Sequence, residues 1–293
     1  MFQRTAASRS PYADGMRALS VSLALVTGCS AANLWPADAS SESYSEAEGR
    51  AWLDRAVEAQ GGDALAGHQT ISLWMRDRWP SWLFRIAAMP WPENGQLMRH
   101  DFVPGTDDVR MTYVGGPEDG TGWGVQQWVT YRFDANGLEF DPVDDPDFTL
   151  KFWLPTNAYF PLLAWRIREA SYVRYLGTEQ QDGRTLHAVF ATWGDGPVPE
   201  DIDQYIVYID DESHRVAFAR YTVKEMGESF AGLMRYEDYR SVGNLTLPFS
   251  MMVVDALSDT EPSLHAYAVE KVEVDADLPA GWLVPRPDLR ATK

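Results

Sequence analysis

The sequence predicts a mainly β protein of the α+β class, an antiparallel sheet built as a meander with a helix laid across it. Two observations carry this. The second half of the chain is a run of strand-like segments separated by Asp182-Gly183, Asp210-Asp211 and Gly243-Asn244, which is the pattern of successive hairpins. The clearest helical periodicity lies ahead of them, at residues 46–60, and a sheet with an apolar face needs a cover.

The first 28 residues stand apart. Arg17 precedes the apolar run ALSVSLALV at 18–26, and Gly28 sits directly ahead of Cys29, the single cysteine of 293 residues. A positive start, a short apolar run and a small residue at the cut site make an export signal that is too short to span a bilayer. Met16, followed by Arg17, would start that signal more tidily than Met1. Val26, Thr27, Gly28 and Cys29 resemble a bacterial lipobox. That likeness implies that the Cys29 thiol is joined to diacylglycerol, so the membrane is met through an N-terminal acyl anchor. Ser30, rather than Asp, resembles the signal for outer-membrane sorting in enteric bacteria.

Residues 29–45 are polar, small and acidic apart from Trp35 and Tyr44, as expected of a flexible tether. A folded domain is expected over 46–280 and a C-terminal tail over 281–293. Beyond the signal, 22 Lys and Arg face 42 Asp and Glu. That balance excludes nucleic acid as a partner, because phosphate binding needs clustered cations. It also leaves acyl chains, not charge, as the route to a membrane. With Cys29 consumed no disulfide can form, so the core holds the fold, and 12 Trp, 12 Phe and 13 Tyr supply it.

The elements follow in order. Ser45 is placed to cap a helix with Glu48 three residues on, and Gly61-Gly62 stops it. A short turn at 63–67 leads to a strand from Ile71. The segments WLFRIAAM, GQLMRHDFV and DVRMTYVG read as strands between breakers, GWGVQQWVTYRF as one more, and LEFDPVDDPDFT as a loop. Residues 150–170 are the most apolar stretch of the domain. Pro155 and Pro161 argue against one long helix there, and Pro161 is placed to open a short one. The ordinary reading of this stretch is core; the functional one is the wall of an apolar cavity, with Trp82, Phe84, Trp153, Phe160, Leu162, Leu163 and Trp165 as candidate lining.

Catalytic patterns are weak. The five histidines, His68, His100, His187, His214 and His265, have no metal-ligand spacing. GESFAG at 227–232 has Ala231 where a nucleophile elbow needs glycine and lies between strands, so Ser229 is rejected as a nucleophile. Asp141, Asp144, Asp145 and Asp147 lack the spacing of a calcium loop. No enzyme, metal or cofactor is therefore expected.

The helix end A-x-G-G followed by a strand, and the hairpins YIVYIDDESHRVAFARYT and YEDYRSVGNLTLPFSMMV, resemble the lipoprotein-carrier superfamily of LolA, LolB and LppX-type lipoproteins. Tyr205, Tyr208, Asp210, Arg215, Tyr221, Tyr236, Tyr239, Arg240 and Pro248 carry the likeness, which is closest to uncharacterised exported bacterial lipoproteins of that architecture. It implies a strongly curved antiparallel sheet, or incomplete β-barrel, wrapped around a helical element with apolar space for acyl chains. The expected function is an envelope lipoprotein binding or carrying a hydrophobic, acyl-bearing ligand. The alternative is a structural, assembly or signalling lipoprotein that binds an envelope protein partner.

Overall fold

The computed structural model describes residues 32–36, 40, 43–226 and 230–289. Thirteen antiparallel strands form one open sheet in the order β6-β5-β4-β3-β2-β1-β13-β12-β11-β10-β9-β8-β7. They are β1 (Ile71–Arg78), β2 (Leu97–Phe102), β3 (Val109–Tyr113), β4 (Gly122–Gln126), β5 (Val129–Asp134), β6 (Gly137–Phe140), β7 (Tyr172–Gln181), β8 (Arg184–Thr192), β9 (Gln204–Asp210), β10 (Val216–Thr222), β11 (Ala231–Val242), β12 (Leu245–Val254) and β13 (Ala266–Val274). The helices are α1 (Glu46–Gln60), α2 (Trp82–Ala87), α3 (Phe148–Tyr159) and α4 (Leu163–Arg168). Two meanders, β1 to β6 and β7 to β13, join where β13 pairs with β1, Ile71 opposite Val274 and Arg78 opposite Ala266.

The helices themselves show how far the sheet bends. Asn157 of α3 is bonded to His100 on β2, and Tyr159, two residues later, has its ring 5.9 Å from that of Tyr205 on β9. Six strand spacings separate β2 from β9, about 29 Å in a flat sheet. Two residues of helix rise only about 3 Å, so the sheet must curl around α3. The expected strongly curved sheet around a helical element is what the chain forms.

Helix α1 begins as expected, with the Ser45 side chain accepting from the Glu48 amide and Gly61 at φ 125 closing it. Its buried face, Trp52, Leu53, Ala56 and Val57, packs into the main core with α3, α4 and the inner face of the sheet. A second cluster lies on the other face of the sheet. There Trp35 fits edge-on to Tyr44, Tyr172 and Phe190, with centroids 5.4, 6.0 and 5.0 Å away. The Leu34 amide donates to Gln204 Oε1, and Gln204 Nε2 to Asn33 Oδ1. Part of the stretch expected to be a tether is thus a strap docked on the outer face.

Three local expectations are corrected. WLFRIAAM is not a strand: Ser81 caps a helix there, and none of the residues of α2 is buried. GWGVQQWVTYRF is two strands, because Gln127 and Trp128 both take positive φ, 50 and 63, and Asp108 accepts from the Gln127 amide to brace that turn. The loop read at LEFDPVDDPDFT opens with strand β6. Pro155 lies inside α3, while Pro161 sits in the 3-10 turn Phe160–Leu162 that leads into α4.

Candidate functional site

The inner face of β9 to β13, beneath the end of α3, is lined with tyrosines. Side chains alternate faces along a strand, so Tyr205 on β9, Tyr221 on β10, Tyr236 on β11 and Tyr267 on β13 all point into the main core. Tyr205 is paired with Tyr221, and Tyr221 with Gly232. The Tyr221 ring leans over that glycine, where a Cβ would lie 2.5 Å from its Cζ. Met251 sits between Tyr236 and Tyr267 in the register. From above, Tyr159 and Phe160 close the site, the latter 5.0 Å from the Tyr221 ring.

This interior is apolar, yet its polar atoms are not all paired. The Tyr236 and Tyr267 hydroxyls are buried without a hydrogen-bond partner among the described residues. Burial pushes both phenols well above their ordinary pKa, so each keeps a proton to donate. On β2, fully buried His100 has its Nε2 3.0 Å from Asn157 Nδ2, while His100 Nδ1 and Asn157 Oδ1 have no partner among the described residues. Whichever way the amide is turned, one ring nitrogen and one amide atom remain unpaired. Burial lowers the His100 pKa to about 3, so the ring is neutral.

A second buried polar group differs in this respect. Asp77, next to last in β1, is wholly buried. It accepts from the indoles of Trp79 (2.8 Å) and Trp91 (2.7 Å) and bonds His265 Nδ1 (2.8 Å). His265 in turn stacks on Trp79.

The expected cavity residues divide. Phe160, Leu162, Leu163 and Trp165 are buried in the main core and Trp153 is half-buried against it. Trp165 also donates from its indole to the Gly62 carbonyl, 2.8 Å away. Trp82 and Phe84 are elsewhere, on α2, with Trp82 67% exposed. Cys29 and Ser229 lie outside the described residues. Sequence reasoning missed the tyrosine face as a site, although Tyr205, Tyr221 and Tyr236 already carried the family likeness. Tyrosines on the inward phase of neighbouring strands were the available signal.

The remaining clusters are structural. The histidines stay apart: His68 joins Asp275 and Asn244, and His187 bonds Tyr175 and Asp211 while stacking on Trp52. No group of three or more metal-ligating side chains occurs among the described residues. Asp141 and Asp147 pair with Arg132, and Asp147 caps α3. A cleft of about 300 Å³ opens where β10 and β11 part below Phe218 and Arg235, and its walls are charged: Arg184, Arg215, Asp210 and Glu237. The cleft between Phe102, Pro155 and Leu162, with the Arg166–Asp107 ion pair in its wall, holds only about 10 Å³, room for one water.

No protein-family model and no curated protein matches the chain. Among solved structures it is similar to a domain provisionally described as outer membrane lipoprotein-sorting from Vibrio parahaemolyticus, at 8% identity and TM-score 0.49, covering 82% of this chain and 98% of that one. It is similar to a LolA superfamily protein from Nitrosomonas europaea at 11% and 0.45, covering 80% and 97%. For the lipoprotein LppX of Mycobacterium tuberculosis the values are 13% and 0.26, covering 61% and 90%.

Proposed function

We propose that this is a lipid-anchored protein of the bacterial cell envelope, held at the outer membrane facing the periplasm by acyl chains on Cys29. In this reading it binds an acyl-bearing ligand between α3 and the tyrosine-lined inner face. The observation that carries the reading is the pair of unpartnered hydroxyls on Tyr236 and Tyr267. A buried hydroxyl left without a partner costs about 1–3 kcal/mol, and native structures keep few of them. An ester or amide carbonyl accepts from a phenol, and the surrounding aromatic and aliphatic walls suit a hydrocarbon chain. The lid over the site is compatible with movement, because Pro155 removes one backbone hydrogen bond from the middle of α3. The family resemblance of the hairpin residues implies the same ligand class.

A second reading has its own support. The cleft under α3 between Phe102, Pro155 and Leu162 holds about 10 Å³, too little for an acyl chain, which suits an assembly or signalling lipoprotein that binds a protein partner. Native mass spectrometry of the Cys29→Ser variant, exported to a periplasm and purified without detergent, decides between them. A co-purifying acyl-bearing mass at one per chain is expected. A clean apo mass that stays unchanged after incubation with envelope lipids would leave the protein-partner reading in place of the carrier.

A further inference from the structure

The strand order gives the sheet two rims. Neighbouring strands are antiparallel throughout, so β1, β8, β10 and β12 all end at the same one, called here the upper rim. Three features meet there. The first is α2, directly beyond β1, whose Trp82, Leu83 and Ile86 are 67%, 50% and 76% exposed. The second is the β8–β9 connection, where Trp193, Val198 and Ile202 are also exposed. The third is the docked strap: the Lys224 side chain, just past β10, donates to the Ala32 carbonyl, and Asn33 bonds Gln204 at the start of β9.

The strap fixes where an anchored chain must meet the membrane. Cys29 is three residues ahead of Ala32, and three residues span about 10 Å at full extension. An acyl group on Cys29 therefore holds the upper rim against the headgroups. Helix α2 is within reach of the same surface, since β1 and β10 are four strand spacings apart, about 19 Å along the sheet and less across its curl. The other exposed aromatics, Trp128 and Phe148, belong to the opposite rim. A seven-residue strand such as β9 is about 23 Å long, which puts them beyond the bilayer when the upper rim rests on it.

We infer that α2 and the β8–β9 connection form a membrane-docking rim, with Trp82, Leu83 and Ile86 entering the bilayer interface beside the anchor. Tryptophan and large aliphatics on one short exposed helix are suited to that zone. Trp82, Leu83 and Ile86 together on one short helix make an exposed apolar patch that needs such a partner. The net charge of -18 gives no attraction to anionic lipid, so the contact is apolar and a zwitterionic bilayer suffices. Docking would hold the upper rim, and α3 within the curled sheet, in a fixed orientation to the membrane.

The inference rests on acylation of Cys29, and one preparation separates the two. With Cys29 acylated, an introduced cysteine is the only free thiol. Leu83→Cys on the upper rim and Glu212→Cys on the lower one are each labelled with an environment-sensitive fluorophore in the full-length protein, reconstituted into phosphatidylcholine vesicles. The label at 83 is expected to brighten several-fold, shift to the blue and resist an aqueous quencher, while the label at 212 does none of these. An acylated, vesicle-bound protein with equal quenching at both positions would overturn the docking rim and leave the anchor standing. Absence of the acyl mass on the same sample would overturn both.

Discussion

The two buried polar clusters of this core teach different things. Asp77 and the tyrosine face lie in the same curled sheet, where burial, and after it the charge of Asp77, raise the pKa of Tyr267. Yet the Asp77 carboxylate is met by three ring nitrogens, from Trp79, Trp91 and His265, whereas the Tyr236 and Tyr267 hydroxyls have no partner among the described residues. A fully paired buried group fixes one arrangement of its neighbours; a partly paired one is stabilised by whatever supplies the missing partner. The Asp77 cluster therefore stabilises the fold as it stands, whereas the tyrosine face would gain stability from an added acceptor, as the proposed function requires.

The largest effect tests the paired side of that contrast. Asp77→Ala strips the acceptor from three buried donors at once, at about 1–3 kcal/mol for each one left unpaired. A loss of about 3–5 kcal/mol is expected by urea unfolding, a large part of the 5–15 kcal/mol that a domain normally has. A change below about 1 kcal/mol would show that the Asp77 cluster is no more structural than the tyrosines.

The next effect comes from His100, which stands between the two classes with one nitrogen bonded and one not. Its pKa is about 3 in the fold because of burial and near 6.5 in the unfolded chain. Below pH 6.5 the unfolded state takes up a proton that the folded state refuses. Stability therefore falls with pH, by about 1.4 kcal/mol per unit through this window. His68 runs the opposite way. Its pKa is raised by its hydrogen bonds to Asp275 and Asn244, so its contribution is full below pH 6.5 and is lost as pH rises through the folded value. His100→Gln keeps an amide opposite Asn157 and cannot titrate. Unfolding curves at pH 7 and pH 5 should differ less in that variant than in the parent; an unchanged difference would remove His100 as the acid-sensitive group.

The same contrast marks what was legible in the sequence. Residues whose packing obeys local rules were read correctly: the Ser45 cap, the Gly61 stop and the Asp182-Gly183 hairpin. Helix α2 was misread because its apolar residues face solvent, so burial periodicity had nothing to report. The turn at Gln127 and Trp128 was missed because neither residue announces positive φ, and Asp108, which holds it, is remote in sequence. The tyrosine site was hidden for a different reason. A hydroxyl's lack of a partner is a fact of three dimensions, and five separated elements must meet before it exists.

The smallest stability effect is the sharpest test of the comparison. Tyr236→Phe and Tyr267→Phe each remove only an oxygen. A hydroxyl bonded within the fold contributes about 0.5–1.5 kcal/mol net, and its loss would register as destabilisation. An unpaired one contributes nothing to the folded state but its desolvation cost, so each variant, and the double variant, should unfold at the same or slightly higher urea concentration than the parent. Ligand retention should move the other way. A lost hydrogen bond of about 1.4 kcal/mol weakens binding tenfold, and this would be read from the fraction of acyl-loaded protein by native mass spectrometry. Lower stability with undiminished loading would make the two tyrosines part of the architecture, like Asp77. Unchanged stability with reduced loading would assign their hydroxyls to the ligand.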